Sequence, residues 1–246
     1  MSEPPFLSIV VPAYNEARRL PRTLDSLQKF GREFTRAWEV LLVVERSRDG
    51  TLEIASEAAR QQENFLAIDN GPQRGKGHAV RSGMLRARGA HVFYLDADLS
   101  VPLGEIDAFL AYFAAHSDVD VLVGNRQHAG SRIVRRQSAL RESMGQTFNR
   151  LLQTRGLASL HDTQCGFKAF RNPAAREIFS RQKLDGFAFD VEVLLLAQRL
   201  GFHSADLPVE WRNSADSRVR LVRDSFAMFR DLLRVRRIVD ASLRGQ

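Results

Sequence analysis

His91-Val92-Phe93-Tyr94-Leu95-Asp96-Ala97-Asp98-Leu99 joins a short apolar run to a pair of carboxylates, and the reading of the chain works outward from it. Val92 to Leu95 show no polar alternation, the pattern of a strand buried on both faces as in a parallel sheet. Asp96 and Asp98 then stand at its carboxyl end, where open α/β sheets bind their ligands. Side chains two apart on an extended segment point the same way, so both carboxylates can face one hard cation. A divalent ion such as Mg²⁺ or Mn²⁺ suits oxygen ligands, keeps some water and bridges to phosphate oxygens. A lone Asp-x-Asp is more often a solvated turn; here the neighbouring segments decide.

Upstream, Leu7 to Val11 reads as a strand stopped by Pro12, and Leu20, Leu24 and Leu27 mark one face of a helix. Val40 to Val44 is a second buried strand. Ser47 to Thr51 supplies turn and N-cap residues before a helix through Ile54 and Ala58. Phe65 to Ile68 is a third strand, followed by Arg74-Gly75-Lys76-Gly77-His78 and a helix through Val80, Met84 and Leu85. After the aspartates come a helix from about Leu103 to Ala115 and a strand from Val119 to Val123. Strands alternating with helices in this way predict a parallel, doubly wound sheet.

Beyond Gly124 the rhythm changes: Ala139 to Leu152 reads as helix, Phe167 to Phe170 as strand and Phe189 to Leu200 as a strongly apolar helix. From Val219 to about Leu243, Val222, Phe226, Phe229 and Leu233 recur at helical spacing among arginines. With no internal repeat or low-complexity linker, the expectation is one domain over residues 1–215. Residues 216–246 form a basic amphipathic C-terminal segment, packed on that domain or facing a membrane.

The 246 residues are 44% hydrophobic and 26% charged, ordinary values for a globular protein. The single cysteine, Cys165, can form no internal disulfide, which fits a reducing, cytoplasmic compartment. The N-terminus lacks the pattern of a signal peptide, and no apolar stretch approaches the roughly 18 residues of a membrane span, so a soluble or peripheral protein is expected. Residues 1–125 carry 14 basic and 17 acidic side chains, residues 126–246 carry 22 and 12, and arginine supplies almost all the positive charge. An acidic front half and a basic back half suit a metal-using site that meets an anionic partner. A pI near 10.3 raises nucleic-acid binding as a rival. The basic half, however, has few aromatics placed for stacking and no recognised motif, so no nucleic-acid partner is expected.

Tyr14 and Glu16, on the loop after the first strand, are placed to stack on and hydrogen-bond a nucleoside. Gly75-Lys76-Gly77 opens a helix with outward N–H groups and a positive side chain, which suits a phosphate; an ordinary helix N-terminus reads the same way. The P-loop spacing is absent. In Asp162-Thr163-Gln164-Cys165-Gly166-Phe167-Lys168, Cys165 reads as a small buried filler, and His161 nearby has no triad context.

Six segments stand here in the order of the inverting family 2 glycosyltransferases: Val11-Pro12-Ala13-Tyr14-Asn15-Glu16, Arg74-Gly75-Lys76-Gly77, Asp96-Ala97-Asp98, Gly124-Asn125-Arg126, the 162–168 run and Phe189-Asp190-Val191-Glu192. Among these enzymes the chain most resembles the dolichyl-phosphate β-glucosyltransferases, with the mannosyltransferases as near relatives, from about residue 7 to residue 237. The resemblance implies a GT-A fold, a Rossmann-like and mostly parallel sheet flanked by helices. It also implies Mg²⁺ or Mn²⁺ at Asp96 and Asp98, and a donor pocket involving Pro12, Tyr14, Glu16, Glu45 and Lys76. It places Arg126, Arg141 and Arg218, with Gln164 and Lys168, around an acceptor phosphate, and makes Asp98 and the three arginines the catalytic set. Val44-Glu45 stands where the family commonly has two aspartates. The eukaryotic glucosyltransferases carry a membrane anchor, and none is visible here. The implied reaction moves glucose from UDP-glucose to a polyprenyl phosphate at an anionic membrane surface. The alternatives are GDP-mannose as donor and a soluble acceptor.

Overall fold

The structure is a computed structural model that describes residues 3–135, 162–212 and 221–244. The expected helix over 139–152, and with it Arg141, lies outside the described residues, as do His161, Arg218 and the start of the C-terminal segment.

The first part of the chain alternates as its apolar periodicity predicts: β1 (Leu7–Ala13), α1 (Leu20–Glu33), β2 (Trp38–Val44), α2 (Thr51–Gln61), β3 (Phe65–Asp69), α3 (Lys76–Arg86), β4 (His91–Leu95), α4 (Glu105–Ala115) and β5 (Val121–Asn125). There follow β6 (Arg132–Arg135), β7 (Phe167–Arg171), α5 (Asn172–Arg181), α6 (Phe189–Arg199), β8 (Ser204–Pro208), β9 (Glu210–Arg212) and α7 (Leu221–Arg244). Seven strands form one sheet in the order β3-β2-β1-β4-β7-β5-β8, and β6 pairs with β9 in a small parallel ribbon.

Strands β1 to β4 are mutually parallel, and β8 runs parallel to β5. The purely parallel arrangement of the first five strands needs one correction. β4 and β5 point the same way but are not neighbours, because β7 lies between them, antiparallel to both. Phe167, Ala169 and Phe170 are buried there, so the segment satisfies a central position that alternation alone does not specify.

Strand parity separates two cores. Val10, Val43, Val92 and Tyr94 face α3, α5, α6 and α7, while Ile9, Leu42, Phe93 and Leu95 face α1, α2 and α4. Leu20, Leu24 and Leu27 of α1 are all buried, as their spacing requires. Helix α6 is buried from Phe189 to Ala197, including Asp190 and Glu192. Helix α7 sends Leu232, Val235 and Val239 into the first core. The chain steps from β1 to β2 and β3 on one side and resumes with β4 on the other, so the sheet's switch point lies between the carboxyl ends of β1 and β4.

Candidate active site

The acidic pair leaves β4 at this switch point. The backbone N–H of Asp96 donates to the carbonyl of Gly166 at 3.1 Å, and Thr23 Oγ1 donates to the carbonyl of Ala97 at 2.5 Å, so the turn is held from two sides. Leu99 adopts φ +47°, a strained value that a branched side chain accepts only where its surroundings over-determine it. Asp98 Oδ1 accepts from the Ser100 N–H at 3.0 Å and Oγ at 2.8 Å. Burial and the charge of Asp96 push the Asp98 carboxyl above its ordinary pKa, against the opposing pull of Ser100 and Arg19. The two carboxylates therefore share one electrostatic environment.

Asp96 is seated on the 162–168 run. A side chain at position 166 would place its first carbon 1.9 Å from Asp96 Oδ2, so only glycine leaves room for the carboxylate. Cations already face the pair. Lys76 Nζ lies 2.6 Å from Asp96 Oδ1, and Arg19 Nη1 lies 3.8 Å from Asp98 Oδ2. Burial disfavours the charge on Lys76, but Asp96, Asp190 and Asp98 outweigh it and raise its pKa. Among the described residues no third His, Cys, Asp or Glu joins the pair in a metal-ligating cluster. An acidic edge of hard oxygens that already holds an ammonium fits a divalent cation completed by water and phosphate.

Pro12 does not stop β1 as expected: it lies within the strand, in register with Val43, and the strand runs on to Ala13; the loop that follows carries Tyr14 and Glu16 to the same edge. Asn15 has φ +54°; its N–H donates to Ser47 Oγ at 3.0 Å, and its Oδ1 accepts from the Arg48 N–H at 2.8 Å. The Glu16 carboxylate receives Nε and Nη2 of Arg19, both at 2.5 Å, and the Glu16 N–H donates to Thr51 Oγ1. Arg19 thus links Glu16 to Asp98. The sequence reading passed over it, although opposite charges three apart at a helix start were a signal.

The loop before α3 differs from expectation. Glu45 is buried, and its carboxylate accepts the N–H groups of Arg74 at 3.0 Å and Gly75 at 3.1 Å, with His78 Nδ1 at 3.1 Å. The His78 N–H donates to the carbonyl of Asp185 at 3.2 Å. Of the backbone donors expected to face a phosphate, that of Gly75 is therefore engaged within the protein. Gly75, at φ +137°, lies where a side-chain carbon would stand 2.4 Å from the Asp185 carbonyl oxygen, so it serves close packing against the chain itself. Lys76 is the part of this loop that reaches the acidic pair.

On the other side, Nε and Nη2 of Arg126 grip buried Asp162 at 2.7 and 2.6 Å, and the guanidinium lies 5.5 Å from the centre of the Trp211 ring. Burial lowers its pKa less than Asp162 raises it, so it stays cationic. Lys168 corrects the acceptor set. It is 0% exposed and donates to the carbonyls of Thr163 at 2.9 Å and Cys165 at 2.7 Å and to Asp190 Oδ1 at 2.6 Å, which leaves its ammonium no donor for a phosphate. Tyr94 donates to the same Asp190 oxygen. Gln164 Nε2 is buried without a partner among the described residues. Cys165 is buried, and burial, followed by the charge of Asp162, pushes its thiol up to about 12, in keeping with an inert filler.

An α/β sheet with an acidic pair and facing cations at its switch point is the build of a transferase that handles a diphosphate-linked donor. Residues 8–179 match glycosyl transferase family 2, and the chain belongs to that family. It is a nucleotide-sugar-dependent glycosyltransferase. It is 32% identical to a dolichyl-phosphate β-glucosyltransferase of Dictyostelium discoideum and 32% identical to that of Saccharomyces cerevisiae, in each case over 94% of this chain and 74% of the other. The fold matches mannosyl-3-phosphoglycerate synthase from Rubrobacter xylanophilus with a TM-score of 0.68 at 19% identity, over 98% of this chain and 76% of that one. It also matches glucosyl-3-phosphoglycerate synthase from Mycobacterium tuberculosis, solved with Mn²⁺, UDP and glucosyl-3-phosphoglycerate, with a TM-score of 0.64 at 16% identity over 94% of this chain and 80% of that one.

Proposed function

We propose that this enzyme transfers glucose from UDP-glucose to a polyprenyl phosphate of the dolichyl type, inverting the anomeric centre, with Mg²⁺ or Mn²⁺ at Asp96 and Asp98. The observation that carries the reading is the seat of Asp96 against Gly166: the acidic pair is built into the 162–168 run, on which the resemblance to the dolichyl-phosphate enzymes most depends. A divalent cation there supplies positive charge against the departing diphosphate.

The side chains divide the remaining work. Lys76, beside Asp96, adds a movable charge on the donor side, and Pro12, Tyr14 and Glu16 border the nucleoside. Glu45 shapes the Gly75 loop from beneath. Arg126, pre-aligned by Asp162, is assigned to the acceptor phosphate, as is Gln164; the resemblance assigns Arg141 and Arg218, outside the described residues, to the same group. A phosphate monoester has a second pKa of about 6 and arrives mostly dianionic, so it needs cations to position it rather than a general base. One in-line displacement on an α-linked donor gives a β-linked lipid phosphate.

The acceptor's lipid chain calls for a surface. On α7, Phe229 and Leu233 are 47% and 40% exposed, beside exposed Arg230 and Arg234. We read this face as resting on anionic headgroups. No helix among the described residues is long and apolar enough to cross a membrane.

The test is nucleotide release from UDP-glucose and from GDP-mannose, with and without Mn²⁺ or Mg²⁺ and a polyprenyl phosphate. UDP release that requires both metal and lipid phosphate, with sugar extracted into organic solvent, is the expected result. Release from GDP-mannose instead overturns the donor, and metal-dependent donor binding without lipid-dependent turnover overturns the acceptor.

A further inference from the structure

We infer that Lys76 is the acidic pair's built-in counter-ion, which keeps a divalent cation from binding alone and lets it enter together with the nucleotide diphosphate. The inference rests on the metal-dependent reading above.

The argument starts from the 2.6 Å contact between Lys76 Nζ and Asp96 Oδ1. About a sixth of the Lys76 side chain and a fifth of the Asp98 side chain meet solvent, against 38% for Asp96, so water screens the ammonium poorly but reaches the outward carboxylate it holds. The other groups facing Lys76 are Asp98, Asp190 and the Phe189 ring. Asp190 is engaged by Lys168 and Tyr94, and Arg19, near Asp98, is engaged by Glu16. Among the described residues, the one cation in an ion pair with the outward carboxylate, Asp96, is therefore Lys76. A divalent ion arriving alone and taking both Asp96 and Asp98 leaves the ammonium, among the described residues, only Asp190, whose Oδ1 already holds Lys168 and Tyr94. A diphosphate arriving alone meets two carboxylates. When both arrive, the ion takes the carboxylates and the phosphate oxygens offer Lys76 a new partner.

The fold confines this exchange to a side chain. The Lys76 backbone opens α3, and the preceding loop is pinned by Glu45 through the Arg74 and Gly75 N–H groups and by packing on Asp185. What moves is a flexible four-carbon stem carrying a compact charge.

The experiment measures Mn²⁺ binding directly, by the electron paramagnetic resonance signal of the free ion, alone and with UDP or GDP. Lys76→Met and Lys76→Gln are expected to bind Mn²⁺ alone more tightly than wild type, by about 5- to 150-fold, the usual span for coupled sites. Lys76→Arg, which keeps the charge, is expected to bind as wild type does. Neutral variants that bind Mn²⁺ alone no more tightly overturn the inference, while nucleotide-dependent Mn²⁺ binding by wild type leaves the metal reading standing. Wild type that binds no Mn²⁺ with either nucleotide overturns the metal reading itself. A second readout needs no variant: acetylation of Lys76, followed by peptide mass, should rise when Mn²⁺ alone is forced on at high concentration and fall when the nucleotide is added. Acetylation that does not respond to Mn²⁺ overturns the inference as well.

Discussion

At the scale of single residues, the function depends on which charges are already engaged. Gly166 shows how narrow the tolerance is. Gly166→Ala must move Asp96, because the added carbon falls 1.9 Å from its carboxylate. Misplacing a reacting group by about 1 Å costs on the order of 100-fold, so transfer should drop by about that factor while the melting temperature changes little; activity and calorimetry on one preparation check both. Lys168 behaves in the opposite way. Lys168→Met strands Asp190 in the core, and breaking a buried ion pair on one side costs about 3–5 kcal/mol. Urea denaturation should show that loss, and Lys168→Met with Asp190→Leu should recover most of it. The residue types were legible from the sequence: the acidic pair, Arg126 and the inert cysteine all stand out. Their engagement was not legible. Lys168 meets Asp190 across 22 residues and Glu45 meets Gly75 across 30, so no local pattern separates a structural cation from a ligand-binding one.

At the scale of elements, helices with a clean apolar face, such as α1, were readable, and so was every strand up to β5. Helix α5 was not assigned, although Asn172-Pro173 is a sound opening, since proline in the first turn removes an N–H that has no partner anyway. Strands β8 and β9 are short and polar and carry no signal. β7 was legible as a strand but not in its direction, because pairing is decided by the edges that β4 and β5 leave open. The start of β4 carries a pH response. The His91 ring packs 4.8 Å from Phe6 and 5.1 Å from Phe113, and burial, then Arg171 and Arg36, bring its pKa down to about 4. An unfolded histidine titrates near ~6.5, so between these values the unfolded chain binds a proton that the folded chain refuses. His91 thus contributes stability that is present above about 6.5 and lost as pH falls through about 4. His91→Phe should flatten the decline of the urea midpoint across this window; an unchanged slope would mean that other groups set it.

At the scale of the whole molecule, the acidic front half supplies the switch point and the basic back half supplies Arg126's surroundings and α7. The face of α7 gives the test at this scale. Phe229→Ser with Leu233→Ser should release the enzyme from anionic vesicles in a flotation assay, while turnover on a short, water-soluble prenyl phosphate stays within about twofold, as expected for surface changes away from the chemistry. Retention of the double variant on vesicles would move the contact elsewhere. The asymmetry of charge was legible from composition. The exposed pair was less so, because the 222–233 stripe and the buried Leu232, Val235 and Val239 have the same helical spacing, and only packing separates the two faces. The strand order also governs how the enzyme is made and inherited. With β7 wedged between β4 and β5, a nascent chain that has finished β5 holds a sheet with a gap, and the gap closes only once residue 171 has been synthesised. The front half is therefore expected to lack a central strand when made alone, so exchanging its acceptor partner by simple fusion should leave β4 and β5 unpaired with each other. A graft that changes the acceptor must carry its own copy of the strand that completes the donor half.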